Sequence, residues 1–284
     1  MHEQTSRGAE AADEPADHLP HRLRPRQQLR RPGQGGGAGG PSPRHLGGPH
    51  SRLRPQAVAE GAFLLQQAVA PFPPAAVHVA VVDPGVGGGR RALAVQAGGT
   101  FWVGPDNGIL SAALPDEARP ATGSGAALTP LPPDVTAVEL TERGYRRATV
   151  SATFHGRDIF APAAAYLALG VPLPAFGPPV HAIHAFPPFR AKRRPDGIII
   201  ARVVTVDHFG NAITDCRAAD LPPNRFVALV GQARIHGPAR TYAEADGPTA
   251  LVGSGGYLEI AVPNGDAAAT LAITVGDTVI VEPE

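Results

Sequence analysis

Val77-His78-Val79-Ala80-Val81-Val82-Asp83-Pro84-Gly85-Val86-Gly87-Gly88-Gly89-Arg90-Arg91 is the stretch whose reading decides the fold. It begins as a nearly continuous β-branched run, as expected of a strand buried on both faces of a parallel sheet. It breaks off at Asp-Pro-Gly. Pro84 holds Asp83 extended, and the glycines let the backbone turn sharply and approach other groups closely. Ligands of open α/β sheets lie outside the carboxyl ends of strands, and Asp83 is expected at such an end. Arg90, seven residues on, can reach that carboxylate across a tight loop. The bland reading of the same residues is a buried strand, a Gly-rich turn and a surface Arg. No Gly-Lys-Ser/Thr closes the stretch, so it is not a Walker loop. Ala92-Leu93-Ala94-Val95-Gln96-Ala97 reads as another strand, where a dinucleotide fingerprint needs a helix.

Working outward, 284 residues allow one large domain or two smaller ones. A formal net charge of zero argues against a dedicated nucleic-acid binder. Cys216 is the only cysteine, which excludes an internal disulfide and a thiolate zinc cluster. No apolar run is long enough to span a membrane, and Met1–Glu10 lacks the apolar core of a secretory signal. A cytoplasmic location is expected, with no membrane partner, no nucleic acid and no metal.

Residues 1–55 differ from the rest: they contain no Val, Ile, Phe, Tyr, Trp or Lys, but five of the eleven histidines and nine arginines. That composition is too poor in apolar residues to offset its ordering entropy, so the segment reads as disordered. A basic arm is the functional alternative. A third reading is a compensated frameshift. One base out of phase, the codons for Asp17-His18-Leu19-Pro20-His21-Arg22-Leu23-Arg24 permit Ile-Thr-Phe-Leu-Thr-Asp-Phe-Gly. In the same phase, Gln28 to Gln34 permits Ser-Tyr-Val-Gly-Gln-Val-Lys, and His45 to Ser51 permits Thr-Leu-Val-Asp-Leu-Thr-His. The nucleotide sequence of codons 10–60 decides the matter.

From Gln56 the pattern is that of a folded protein. Gln56–Ala70 has helical periodicity, stopped by Phe72-Pro73-Pro74. Ala92–Gln96 and Thr100–Val103 predict a hairpin, Gly104–Leu110 a turn into a short helix, and Pro115–Pro133 an exposed loop. Ala148–Phe154 predicts a strand running into His155-Gly156-Arg157-Asp158 and a helix over Ile159–Leu169. His155 would then sit at a helix N-terminus, where anions are favoured, or serve only as a turn residue. Residues 176–192 have a Pro-rich linker composition. Beyond them, Gly197–Val206, Arg225–Val230, Ala250–Val252, Gly256–Val262 and Asp277–Val281 are short strands at regular spacing, suited to a small barrel or sandwich. The expected architecture is an incomplete α/β N-terminal domain over 56–175 with a central, mostly parallel sheet, and a smaller all-β, barrel-like C-terminal domain over 193–284.

Five motifs occur in order: Val81-Val82-Asp83-Pro84-Gly85-Val86-Gly87, Gly104-Pro105-Asp106-Asn107-Gly108, Thr153-Phe154-His155-Gly156-Arg157-Asp158, Asp207-His208-Phe209-Gly210-Asn211 and Gly253-Ser254-Gly255-Gly256-Tyr257-Leu258-Glu259-Ile260-Ala261. Together, over roughly Gln56–Val281, they resemble the S-adenosyl-L-methionine (SAM) hydroxide adenosyltransferases. That family is also called SAM hydrolase (adenosine-forming) and is related to the fluorinase and chlorinase. The out-of-phase strings resemble its first motifs as well.

The resemblance implies hydrolysis of SAM to adenosine and L-methionine, with SAM as substrate and no cofactor. It implies that Asp83, Arg90 and His155 hold and polarise the attacking water. Phe154 and Gly156, on either side of His155, are implied to bind the substrate. Asp207, Phe209 and Asn211 would contact the adenine and methionine sides, and Ser254 and Glu259 the methionine; read blandly, both stretches are only turns. Halide-using relatives carry Tyr at the positions of Asp83 and His155, and the fluorinase has Ser at Gly156, so water is the implied nucleophile. A SAM-dependent halogenase and a non-catalytic SAM- or adenosine-binding protein are the alternatives. A homotrimer with sites between subunits is implied too. The family's Thr-Asp-Phe-Gly motif, whose Asp contacts the ribose hydroxyls, is absent from the chain as written, which is expected to fold poorly or bind SAM weakly.

Overall fold

In this computed structural model the structure describes residues 53–284; the readings made of residues 1–52 lie outside the described residues. Helix α1 (Val58–Ala68) follows the predicted periodicity, and Glu60, Gly61, Ala62 and Phe63 are buried. A Cβ on Gly61 would come within 2.7 Å of Ile109 Cδ1, so glycine is what lets the helix sit this close to its neighbour.

The first sheet is built from β1 (Val77–Val79), β2 (Ala92–Ala97) and β3 (Thr100–Pro105), followed, after the short strand β4 (Ala127–Pro130), by β5 (Thr136–Glu139) and β6 (Pro179–Val180). Its order is β1-β3-β2-β5-β6. Strands β1 and β3 are parallel, with Val79 opposite Val103. Gly98 and Gly99, both at positive φ, make the two-residue turn between β2 and β3. Alternate β2 residues serve two cores. Ala92 and Ala94 pack under helix α2 (Ala161–Ala168) with Phe160, Ala163 and Leu167, while Leu93 and Val95 face Trp102, Ile109, Leu110 and Ile183.

Four details differ from the sequence expectations. Only the β1–β3 pairing of this sheet is parallel, because a two-residue hairpin makes β2 antiparallel and β5 and β6 follow it. Residues 148–154 form no strand: the Arg147 N–H donates to Asp158 O and the Ser151 N–H to the Asp158 carboxylate, so the ladder is replaced by a loop folded on Asp158. Within 115–133, β4 pairs with β7 (Ala182–Ala185), and Arg119 and Thr129 are buried. The Pro-rich stretch 176–192 carries β6, β7 and the first residue of β8 (Lys192–Arg193), a pairing partner too distant in sequence to be read locally.

The second sheet adds β9 (Ile199–Val206), β10 (Ala212–Arg217), β11 (Phe226–Val230), β12 (Ala233–Gly237), β13 (Thr249–Val252), β14 (Tyr257–Ala261) and β15 (Thr278–Pro283). The order is β12-β11-β15-β9-β10-β14-β13, with β8 also on β9. All pairings are antiparallel, and the Ala239 N–H donates to Ala250 O at 2.9 Å, which nearly closes the sheet into a barrel. Ile199, Ala201, Val203, Leu258, Ile260, Val279 and Val281 fill it, and β9 alternates buried and more open residues. The short helix α3 (Ala267–Leu271) is capped by Asp266, whose Oδ1 accepts from Ala269 N. No helix among the described residues is long and apolar enough to cross a membrane.

Helix α1 is the seam between the two sheets. Thr205 of β9 donates to Glu60, the Gln66 amide donates to Tyr257 of β14 at 3.0 Å, and the fully buried Phe63 ring meets Tyr257 edge-on at 4.9 Å. Phe63→Ala should therefore cost about 3–5 kcal/mol of stability. Urea denaturation checks this, and a midpoint unchanged from the parent would refute it.

Candidate active site

Just after β1 the chain is tied to β3 by the Ala80 N–H donating to Val103 O, and it runs on to Asp83. It then folds into two successive turns, Val86 N–H to Asp83 O and Gly88 N–H to Gly85 O. Gly87 has φ +76°, and a Cβ there would lie 2.3 Å from the Ala152 carbonyl oxygen. Glycine therefore lets this loop lie directly against the segment that leads to His155.

The result brings three side chains together. Arg90 Nε donates to both Asp83 oxygens at 3.0 Å, and Arg90 Nη2 also bonds Asp83 Oδ2. The same Nη2 lies 2.7 Å from His155 Nδ1. Side-chain exposure is 5 % for Asp83 and 11 % for Arg90, so the pair is shielded from screening. The guanidinium lies over the Phe160 ring at 5.3 Å, which fixes its plane.

A guanidinium has donors and no acceptor. His155 Nδ1 must then be the acceptor, which puts the proton of the neutral ring on Nε2. Burial, and next the Arg90 charge, push the imidazole below its ordinary pKa, against the opposing carboxylates of Asp83 and Asp158. The ring is neutral at pH 7 and presents an N–H. It caps a π-helical turn over Gly156–Phe160 that leads into α2; such insertions favour functional sites. Asp158, wholly buried, is held down to about 2 by the Arg157 hydrogen bond first and then by the Ser151 N–H. A Cβ on Gly156 would meet Val81 only at ordinary contact distance, 3.7 Å, so the position has room for a methyl group. The Arg157 guanidinium lies 4.6 Å from the centroid of the Phe154 ring, which is partly exposed.

The other candidates gather elsewhere. A cavity of about 610 Å³ is lined by Asp207, Phe209, Asn211, Ser254 and Glu259 together, with Gln67, Tyr242 and Tyr257 among its other walls. Asp207 opens the β9–β10 turn, accepting from the N–H groups of Phe209 and Asn211 at 2.9 Å and from the Asn211 amide at 3.0 Å. Its carboxylate thus shapes the turn as well as the wall. Phe209 projects outward, 69 % exposed. Tyr242 donates to Glu259 Oε1 at 2.9 Å. Burial raises the Glu259 pKa, and the nearby Asp207 charge adds to this. Burial and the bond to Glu259 push the Tyr242 hydroxyl up to about 12.

Asp83, Arg90 and His155 do not line this cavity. Sequence reasoning missed Tyr242 and Gln67: neither stands in a motif, and only tertiary packing brings them to Glu259 and Gly255.

The profile of the SAM hydroxide adenosyltransferase N-terminal domain matches residues 50–177, and that of its C-terminal domain residues 201–280. The chain belongs to this family. It is 45% identical over 230 residues to the (R)-S-adenosyl-L-methionine hydrolase of Salinispora arenicola, covering 78% of this chain and 80% of that protein. To the enzyme of the same name from Thermus thermophilus it is 41% identical over 229 residues, covering 79% and 82%. A crystal structure of a conserved protein from Thermotoga maritima shares the fold with a TM-score of 0.68 at 28% identity, covering 81% of this chain and 86% of that one. Another, from Thermus thermophilus, has a TM-score of 0.60 at 35% identity, with 81% and 83% covered. The two profiles cover the two clusters of candidate residues, one in each half of the chain.

Gly87 and Gly89 offer a clean contrast in the loop that carries Arg90. Gly87→Ala places a methyl group in a left-handed conformation against a backbone carbonyl and should cost about 1–3 kcal/mol. Gly89→Ala, with nothing within 4 Å of the added carbon, should stay within about 0.5 kcal/mol of the parent. Chemical denaturation of the two variants measures both.

Proposed function

We propose that the chain hydrolyses SAM to adenosine and L-methionine, with a water or hydroxide held by Asp83, Arg90 and His155 as the nucleophile. The observation that carries this reading is the meeting of those three side chains at one shielded point, in a chain of this family. The oxygen attacks C5′ of the ribose from behind, the C5′–S bond breaks, and its electron pair returns to sulfur as methionine. The water proton leaves to solvent. A neutral thioether departs, so no acid is required on that side. SAM is the substrate and no cofactor takes part.

The hydrogen-bond pattern supports a division of roles. With the Nδ1 lone pair engaged by Arg90, the neutral ring offers Nε2–H to an incoming oxygen. The Nε2–H donor and the positive charge of the nearby guanidinium then favour hydroxide over water, while Asp83 fixes the guanidinium. His155 acts as a donor in this state rather than as a base. Protonating the imidazole would set two donors against each other and release Arg90. Turnover should fall as pH drops through the lowered His155 pKa, with the acid limb below the ordinary value of about 6.5. His155→Ala and Asp83→Ala should each lower kcat at least about 100-fold. Chromatographic measurement of adenosine and methionine across pH tests this; a limb centred above the ordinary imidazole range would count against it.

On the binding side, Glu259 and Ser254 suit the amino-acid end of SAM. Glu259 is raised by burial, and a bound ammonium would return it to its charged form. KM for SAM should therefore rise as pH falls through the raised Glu259 pKa. Without a Thr-Asp-Phe-Gly in the sequence, the ribose hydroxyls lack one contact, and weak SAM binding is expected of the chain as written.

A cytoplasmic homotrimer completes the reading. The cavity near Asp207 and Glu259 does not include the triad, and a neighbouring subunit would supply the other half of each site. Mixing His155→Ala chains with Asp207→Ala chains under subunit exchange should then restore turnover. Failure to complement, together with a monomeric mass by light scattering, would rule this out. The second reading, a halogenase, has the Asp83 charge against it; incubation with chloride should yield adenosine and no 5′-chloro product.

A further inference from the structure

The structure assigns a positioning role to Asp106 and Asn107: they clamp the two ends of the 83–90 loop and thereby hold Arg90 in place between Asp83 and His155. This rests on the hydrolytic reading above and deepens it. In the order β1-β3-β2, the central strand is β3. The loop that leaves β1 and enters β2 passes over the end of β3, so the turn after β3 meets both legs of that loop.

Each leg is gripped by one residue of the turn. Asn107 Nδ2 donates to the Val82 carbonyl at 2.8 Å, next to Asp83. Its Oδ1 accepts from the Ile109 N–H at 3.1 Å, which fixes the amide's orientation. On the other leg, Asp106 N–H donates to Arg91 O at 3.0 Å, and its carboxylate accepts from Arg91 Nε at 2.9 Å, next to Arg90. The carboxylate is itself anchored, 2 % exposed, with Oδ1 accepting from His184 N–H at 2.7 Å. Arg91 further donates to the Ala182 carbonyl at 2.8 Å. Arg90 and Arg91 thus have separate carboxylate partners, Asp83 and Asp106. The adjacent arginines cannot exchange partners without breaking the clamp.

A guanidinium that serves two partners is sensitive to small displacements. A misplacement of about 1 Å costs about 100-fold in favourable cases. Asn107→Asp keeps the acceptor for Ile109 and removes the donor to Val82, which loosens one leg. Asp106→Asn removes the charge that holds Arg91 and loosens the other. The two substitutions change the local charge in opposite directions.

The test uses full-length protein and two readouts. In turnover, each variant should lose about tenfold or more in kcat with KM within about twofold, and neither should lose anything further when made in an Arg90→Ala background. In NMR, the His155 ring, assigned by its loss in His155→Ala, should titrate higher in both variants than in the parent, because Arg90 no longer opposes its protonation. The other charges facing the ring, Asp83, Asp158 and Arg146, are unchanged in both. Opposite shifts in the two variants would reveal a through-space charge effect and overturn the proposal. So would an unchanged His155 titration, or a kcat loss that persists undiminished without Arg90. A parent chain that turned over no SAM would defeat the hydrolytic reading, while the titration would still decide the clamp.

Discussion

A guanidinium that only donates, placed between a carboxylate and an imidazole, is the constraint on which the site depends. Arg90 faces Asp83 with two of its nitrogens and His155 with one of those two. The first contact pairs the carboxylate in a position that is nearly closed to solvent. The second dictates which ring nitrogen of His155 carries the proton. The tautomer and the direction of the free N–H follow from one side chain that only donates, and its charge adds to burial in opposing protonation of the ring.

Holding that side chain is a matter of topology. The loop bearing Arg90 is rich in glycine and would wander if left to itself, since glycine loses the most freedom on ordering. Its restraint comes from outside: Gly87 against Ala152 on one side, and the turn after β3 on the other. The parallel β1–β3 pairing puts that turn within reach of Val82, and the β2–β3 hairpin puts it opposite Arg91. A purely antiparallel arrangement of the three strands would not bring both ends of the loop to the same edge. The single parallel pairing in this sheet is thus the one the site needs.

Much of this could be read from the letters, and the failures have physical causes. The Asp83-to-Arg90 spacing was legible because a seven-residue loop closes locally. The barrel strands β9, β11, β13, β14 and β15 were legible from alternation and turn residues. Residues 148–154 misled because Ala-Thr-Val-Ser-Ala-Thr-Phe has strand propensity, yet its backbone groups are taken by a carboxylate, Asp158, that propensity cannot see. Strands β4, β6 and β7 hid behind prolines, since their pairing partners lie far away in sequence. Tyr242 was illegible for a related reason. A tyrosine becomes a wall of the cavity only when the β12–β13 connection carries it to Glu259.

The electrostatics of the two clusters point to a division of labour. Around Asp83 the one positive charge, Arg90, is buried with its partner, and the surroundings of His155 oppose its protonation. Such a site has a donor to offer an oxygen and a carboxylate to repel a halide. Around Asp207 and Glu259 the bias is reversed: two carboxylates lie in one cavity, and one has its pKa raised because burial and its neighbour oppose the charge. That cavity gains most from a cation, which relieves both burial and repulsion. SAM carries a sulfonium and an ammonium. Under the proposed hydrolysis its charge would draw it to the acidic cavity, while its reacting carbon would meet the oxygen assigned to the other cluster. Neither cluster serves both needs, because a guanidinium able to stabilise hydroxide would repel the sulfonium if it stood beside the same atoms without Asp83. In the proposed reaction the pairing of Arg90 with Asp83 would remove that conflict, which gives the carboxylate a part in the chemistry through the guanidinium it fixes.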